Sequence, residues 1–301
     1  MDTLAAMRTF VAIVDGGSLT AAAAARDRSQ PAVVRSLAAL EEHLGTRLLQ
    51  RTTRRMSLTP EGSDYLQRCR QILSDVDEAE RAVRQDDEEP HGPVRITAPV
   101  QFGQMHVAPS LTRFIEDHQR ITVELLLLDR NVNLVDEGID LALRIGPLPD
   151  SGLIAMPVGE VRRVVCAAPS LLDRTGVPDV PQQLSDLPCI RVNNLARAGT
   201  WSFRDGSSDV GVRVEGRFSC NQVAAAIDAC VNGAGFGQFL SYQVQDYLRD
   251  GHLKRVLPDY EVPALPVNIV YSDSRFATMR QRVVTRFLKE QLRERVFRAD
   301  R

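Results

Sequence analysis

The amino-acid sequence predicts a mixed α/β chain of two unlike parts, and three observations carry that prediction. Residues 1–60 space their apolar side chains at helical intervals broken by turn signals. One amphipathic stretch then runs over 61–90, and from Val94 onward β-rich runs alternate with helical ones. The expected division is an all-helical domain with a small wing over 1–60, a linker helix over 61–90 and an α/β part over 91–301.

In the first part, Leu4, Met7, Phe10, Val11 and Val14 recur at three- and four-residue steps, which predicts a helix with one buried face. Gly16-Gly17 stops it, Ser18 is a good N-cap for the next helix, and the alanines of that helix permit close packing. Asp27 and Arg28 fill a short turn. Ser29 is placed to cap a third helix, with Pro31 in its first turn, where a missing N–H costs nothing. That helix is expected to bury Val33, Leu37, Leu40 and Leu44 and to end at Gly45. Two short strands around Leu48-Leu49 and Ser57-Leu58 would bracket the loop RTTRRM as a wing, and Thr59 would cap one more helix.

Along that fourth helix Tyr65, Cys69, Ile72, Val76, Ala79 and Val83 are spaced 4, 3, 4, 3, 4, the seam of a coiled coil. An isolated helix of this length is marginal in water, so the seam calls for a partner, either a second copy of the chain or its own C-terminal part. A homodimer through this helix is the expectation. The run DDEEPHGP then breaks the helix.

Beyond it, VRIT, TVELLLL, LALRI, VVCAA, CIRV, FGQFL and VNIVYS read as strands, while 104–117, 222–232, 241–249 and 276–294 read as helices. Such alternation predicts parallel sheets covered by helices. Two subdomains joined by crossovers near Val161–Val165 and Val262–Val267 are the economical solution, the first over about 91–163 and 267–301, the second over about 164–266. Ligands in such folds lie in the cleft beyond the carboxyl ends of strands.

A net charge of −2 is uninformative until divided: residues 1–60 hold eight arginines against five acids, and 71–89 hold eight acids against two arginines. A concentrated basic patch on a near-neutral chain suits local phosphate contact. No run of about 18 apolar residues predicts a membrane span. The start MDTLAAMRTF lacks the basic segment of a secretory signal, so a cytoplasmic, nucleoid-associated protein is expected. The five cysteines (Cys69, Cys166, Cys189, Cys220, Cys230) show no C-x-x-C spacing and read as reduced, mostly buried thiols. The five histidines (His43, His91, His106, His118, His252) have no metal-ligand spacing, and the glycines of 233–237 precede a strand instead of opening a helix, so neither a cofactor nor catalysis is expected.

The helices, the turn and the wing together predict contact with double-stranded DNA. The third helix would present Gln30, Val34 and Arg35 near its exposed N-terminal end, and Gln and Arg both form bidentate hydrogen bonds to base edges in the major groove. Ser29 and the helix's first amides, like Ser18 and Thr20 at the preceding helix start, can hold phosphates. Arg51, Arg54 and Arg55 would reach backbone or minor groove from the wing, although a charged surface hairpin taken alone would look the same.

These residues resemble the N-terminal domain of LysR-type transcriptional regulators: the S-Q-P-A-V start of the third helix, L-E-x-x-L-G at its end (Leu40, Glu41, Leu44, Gly45) and L-T-P-E-G after the wing. The resemblance continues through HGPVRITAP, DRNVNLVDEGIDLALRIG, CAAPS and NGAGFGQF, so it spans nearly the whole chain. It implies a winged helix-turn-helix, a dimerising linker helix and an effector-binding domain like a periplasmic solute-binding protein. It also implies a homotetramer on promoter DNA that answers to a small-molecule effector and acts on transcription with RNA polymerase. By position, the implied effector pocket is lined by Pro99, Gln101, Phe102, Arg144, Asn193, Trp201, Asn221 and Phe239. Arg144, at a strand end beside Gly146, could bind a carboxylate or pair with Asp140 or Asp129.

Four positions depart from the family pattern. Val34 replaces a usual serine, and Arg26, Asp27 and Arg28 replace an apolar, a small and another apolar residue in the turn. Arg28 is expected to lie near the DNA backbone, with a weakened domain as the alternative. A solute receptor with an assembly segment and an enzyme with a regulatory segment are the competing classes. The arginine wing weighs against the first, and the missing catalytic constellation against the second.

Overall fold

The computed structural model describes residues 1–51, 56–84, 89–134, 136–148, 152–193, 199–272 and 278–296. It divides into two compact units, Met1–Gly92 and Pro93–Arg301.

The first unit contains α1 (Thr3–Asp15), α2 (Leu19–Ala25), α3 (Gln30–Leu44), β1 (Leu49–Arg51), β2 (Met56–Leu58) and α4 (Pro60–Arg84). Its core joins Phe10, Ile13, Ala22, Val33, Leu37, Leu40, Leu48 and Cys69. Small alanines on α2 let α1 and α3 approach it. Gly17, at φ +65°, and Asp27, at φ +46°, make the two sharp reversals around α2. Asp27 tolerates the left-handed region better than a bulky residue would, which is a physical reason for it in this turn. The buried stripe of α1 is rotated from the expected one: Ala6, Met7, Thr9, Phe10 and Ile13 are inside, whereas Leu4 is 39% exposed.

Glu41, inside the L-E-x-x-L-G motif, accepts hydrogen bonds from the backbone N–H groups of Leu48 (2.8 Å) and Leu49 (3.2 Å), which ties the wing to the end of α3. Gly45 closes α3 at φ +68°. Thr59 caps α4: its hydroxyl accepts from the Gly62 N–H at 2.8 Å and donates to the Arg47 carbonyl at 2.8 Å. Gly62 lies so close to the Leu48 carbonyl that a Cβ would come within 1.9 Å of its oxygen.

The expected seam of α4 is split. Cys69 is fully buried in the unit's own core with Leu66 and Leu73, and Ile72 is 40% exposed. Ion pairs Arg8–Asp77 and Arg70–Asp15 fix α4 along α1. A 4-3 repeat marks an apolar face without saying which neighbour covers each turn, so Cys69 serves the winged domain and not a partner helix. The seam positions Ala79 and Val83 have side chains outside the described residues.

The second unit holds β3 (Gly92–Ala98), α5 (Val100–Phe102), a π-helical turn (Gly103–Val107), α6 (Ala108–Asp117), β4 (Ile121–Leu127), β5 (Leu141–Ile145) and β6 (Leu153–Val161). It continues with β7 (Arg163–Ala167), α7 (Pro169–Thr175), β8 (Ile190–Val192), β9 (Thr200–Asp205), β10 (Ser208–Arg213) and β11 (Phe218–Cys220). Then come α8 (Val223–Val231), β12 (Gly237–Leu240), α9 (Ser241–Arg249), β13 (Lys254–Val256), β14 (Leu265–Ser272) and α10 (Met279–Arg295). One five-stranded sheet has the order β4-β3-β5-β14-β6, and a second region holds β12-β7-β13 with the pairs β8–β11 and β9–β10.

The sheets are mixed, which corrects the expectation of parallel ones. β3 and β5 run parallel, but β14 is antiparallel to β5 and β6, and β12 and β13 are antiparallel to β7. The reason is the double crossover: the chain leaves the first sheet through β6 and returns through β14, so the returning strand must point the other way. Absent from the sequence-based strand set are β6, the β9–β10 hairpin and the short β11 and β13. β6 contains Pro157, normally a sign against a strand; it lies at the sheet edge, where the register with β14 shifts between Val267 and Asn268 and no ladder N–H is required.

Candidate DNA-reading face and effector cleft

The structure leaves the N-terminal end of α3 open on one side. Val33 and Leu37 point into the core, while Gln30, Pro31 and Arg35 are exposed and Val34 is half-buried. The 3.6-residue period puts Arg35 opposite the Val33–Leu37–Leu40 stripe and Val34 on its flank, while Gln30, on the side of Leu37, is exposed as the first residue of α3. Ser29 occupies the N-cap position, yet its hydroxyl makes no capping bond, contrary to expectation. The Ala32 and Val33 N–H groups donate to the Ser29 carbonyl (2.9 and 3.1 Å), which leaves the hydroxyl and the Gln30 amide for an outside acceptor such as a phosphate.

Ser18 does cap α2, accepting from the Ala21 N–H at 3.1 Å, and Thr20, two residues on, is exposed. Arg28 is exposed in the turn directly before Ser29. Arg26 is half-buried, and its Nε is buried without a hydrogen-bond partner. The arginine that strains the turn is therefore Arg26, while Arg28 keeps its head in water. Arg51 stands at the end of β1, opposite Met56, and its side chain lies outside the described residues, as do Arg54 and Arg55 altogether.

In the second unit the predicted pocket residues separate by chemistry. Phe102, Trp201 and Phe239 are buried in three different apolar cores, where each packs against other apolar side chains. Pro99 and Gln101 are half-buried where β3 enters α5, and Gln101 Oε1 is buried with no hydrogen-bond partner. Asn193 and Asn221 are exposed and are brought together by the parallel β8–β11 pair, with the Asn193 N–H donating to the Cys220 carbonyl at 2.7 Å.

Arg144 is half-buried and donates to the carbonyl oxygens of Arg130 (3.4 Å) and Val132 (3.3 Å). Asp140 is engaged elsewhere, accepting from the Arg95 N–H (2.8 Å) and from Gln281 (2.5 Å). Asp129 accepts from the Val100 N–H at 3.0 Å. Burial pushes the Arg144 guanidinium below its ordinary pKa while Glu137 pulls it up and Arg130 lowers it further. A desolvated arginine on long carbonyl contacts has hydrogen-bonding capacity to offer an anion.

Two neighbours of Arg144 were missed in the sequence. Asn268 is its antiparallel partner on β14 and is buried; Thr97 is on β3, two positions before Pro99, with its hydroxyl buried and unpartnered. Strand alternation puts Thr97, Arg144 and Asn268 on one face, since Ile96, Ala98, Leu143, Val267 and Ile269 all belong to the core on the other. An asparagine inside the apolar run VNIVYS was the available signal.

His106 stacks edge-on between Phe102 (centroids 5.0 Å apart) and Tyr242 (5.5 Å), and its Nε2 is buried without a partner. Burial lowers its pKa from the ordinary 6.5. The folded form therefore takes up a proton less readily than the unfolded one. Stability from this group is intact above about pH 6.5 and is lost as the pH falls through that value toward the lower folded pKa. The urea midpoint of the chain should drop between about pH 7.5 and about pH 5.5, and His106→Phe should flatten that dependence. An identical pH profile in the variant would remove His106 as the cause.

The fold and these two faces define a class: a helix-turn-helix regulator of transcription joined to an α/β domain built to hold a small ligand. The chain belongs to the LysR family of such regulators. Residues 4–63 match the family described as bacterial regulatory helix-turn-helix protein, lysR family, and residues 87–293 match the LysR substrate binding domain. It is 34% identical to an HTH-type transcriptional repressor of Pseudomonas aeruginosa, over 96% of this chain and 92% of that protein. It is also 30% identical to the HTH-type transcriptional activator TtdR of Escherichia coli, over 98% of this chain and 95% of that one. Among solved structures, CrgA, a LysR-type regulator of Neisseria meningitidis, superposes with a TM-score of 0.62 at 29% identity, covering 96% of this chain and 98% of the other. Among the described residues no helix is long and apolar enough to cross a membrane, no His/Cys/Asp/Glu group could hold a metal ion, and all five cysteines are free.

Proposed function

We propose that the labour is divided along the chain as 1–60 for DNA, 61–90 for dimerisation and 91–301 for sensing. In this reading α3 enters the major groove of a palindromic promoter site. Gln30 and Arg35 bond base edges, and Val34 meets a thymine methyl. Ser18, Thr20, Ser29 and the Gln30 amide at the start of α3, with Pro31 leaving no N–H to satisfy, hold phosphates. Arg28 adds a backbone contact, and Arg51, Arg54 and Arg55 add more from the wing. Two protomers pair through α4, where the exposed Ile72 is available to a partner, and two such dimers form a homotetramer that works with RNA polymerase in the cytoplasm. The chain carries no cofactor and catalyses no reaction.

The observation that carries this reading is the open face at the start of α3, where an uncommitted Ser29 hydroxyl stands beside three exposed polar or conformationally fixed residues. A mobility-shift titration of the full chain against its own upstream region tests it; no shifted complex would refute it. Within that assay Arg28→Ala should reduce the slope of log affinity against log salt by about one, the signature of one lost phosphate contact. An unchanged slope would take Arg28 off the DNA.

For the sensing part, the effector is a small molecule with a carboxylate that bonds Arg144, flanked by Thr97, Gln101 and Asn268. A ligand shifts a two-state domain only through unequal affinity for the two states, and a half-buried arginine reached in one state alone supplies that inequality. Thermal-shift screening with aromatic acids and amino acids should find it. Arg144→Ala should weaken the hit by about 1.5–3 kcal/mol, tenfold or more in affinity. An unaffected hit would place the carboxylate elsewhere.

A further inference from the structure

We propose a second ligand site on the other sheet: Arg163 and Arg191 bind the carboxylate of a small organic acid, on the face of β8, β12 and β7 that the β9–β10 hairpin covers. Strand register puts both arginines on that face. Arg163 is the antiparallel partner of Leu240 on β12, and Val165, two residues on, is the partner of Gln238. β8 joins β12 in parallel through the Cys189–Phe236 bridge, so Arg191 stands level with Gln238. The cores agree with this alternation. Val164, Cys166 and Ile190 lie in one core with Phe239, whereas Val165 and Cys189 lie in the other with Trp201 and Phe203. Two strand spacings and two residues separate the arginine backbones by about 12 Å, a span that two long side chains can close onto one small molecule.

Neither arginine is committed elsewhere. Arg163 and Arg191 have no ion pair or hydrogen bond among the described residues, although both are half-buried. The Arg191 Nε is buried without a partner, and its Nη1 lies 4.0 Å from where a Cβ on Gly199 would stand, at the root of the hairpin. Burial alone pushes the Arg163 guanidinium below its ordinary pKa, with no carboxylate near enough to raise it. A guanidinium held partly out of water without a counter-charge is costly, and a carboxylate offsets that cost through short, charge-assisted hydrogen bonds.

The surroundings select the kind of anion. Gln238 donates from Nε2 to the Ser202 carbonyl at 3.5 Å, which sets the hairpin over this face. Val165 and Leu240 give the floor apolar character beside the two cations, which suits a carbon skeleton better than a bare inorganic ion. Arg144 lies on the first sheet with Thr97 and Asn268, so the two sites share no residue.

Titration of the full chain with succinate, glutarate and butyrate, read by Trp201 emission, tests the proposal, with inorganic phosphate as the contrast. Trp201 is the single tryptophan of the chain and the second residue of β9, so it reports on this face. At least one of the three acids should change its emission in one hyperbolic phase, at least tenfold more tightly than phosphate. Arg163→Ala and Arg191→Ala should each raise the midpoint at least tenfold. Arg163→Lys should raise it less, and Arg144→Ala should leave it unchanged. If alanine at 163 lowers the melting temperature, Arg163→Gln should show the same loss in a folded chain. No saturable response to any of the three acids, an unchanged midpoint in both arginine variants, or equally tight phosphate binding would overturn the site. Loss in Arg144→Ala alone would overturn it too, and would assign the response to the first sheet.

Discussion

Replacing Phe10 by alanine is expected to unfold the DNA-binding half of the chain well before the sensing half. Phe10 is fully buried where α1, α2 and α3 meet, with Tyr65 of α4 at a ring-centroid distance of 6.0 Å. Truncating a buried phenylalanine removes its transfer free energy and leaves a cavity, together about 3–5 kcal/mol. In a domain of this size that lowers the melting temperature by roughly 12 °C or more. Calorimetry of the full chain should show the N-terminal transition moving down while a transition of the second unit, with its own cores, keeps its place. A single transition shifting as a whole would mean that the two units melt as one.

Arg35→Ala should weaken specific DNA binding by about 1–3 kcal/mol, roughly 5- to 150-fold, and leave folding intact. The side chain is exposed on α3, six residues past Ser29, so its removal opens no cavity. The discriminating measurement is anisotropy on the operator and on random duplex in parallel. Loss confined to the operator marks a base contact, and equal loss on both marks a phosphate contact and would strip Arg35 of its reading role.

The helix-turn-helix was legible because local rules agree there: cap, alanine run, turn and apolar stripe all specify the same three helices. Likewise α9 falls at 241–249 as the sequence indicates, since Ser241 starts it and the apolar steps are regular. What sequence could not supply was the identity of each neighbour. Leu4 and Cys69 have the right periodicity for one side of a helix and lie on another, because the shared face of α1 and α4 is decided by packing. Strand direction failed for a similar reason: β14 is apolar in either orientation, and only the second crossover makes it antiparallel. At the cleft, positional analogy brings together the polar Arg144 and Gln101 with the core-packed Phe102, Trp201 and Phe239. Aromatic residues near a strand end look alike in sequence whether they face a ligand or a core. Thr97 and Asn268 were overlooked because a single polar residue in an apolar strand carries no motif.

The central claim is that the exposed start of α3 touches duplex DNA. A photo-crosslinking residue introduced at Gln30, with one at Phe218 of the second unit as control, measures this contact in the full chain bound to its upstream region. The account predicts a strong crosslink to DNA from position 30 and none from 218. DNA binding without any crosslink from position 30 would contradict it.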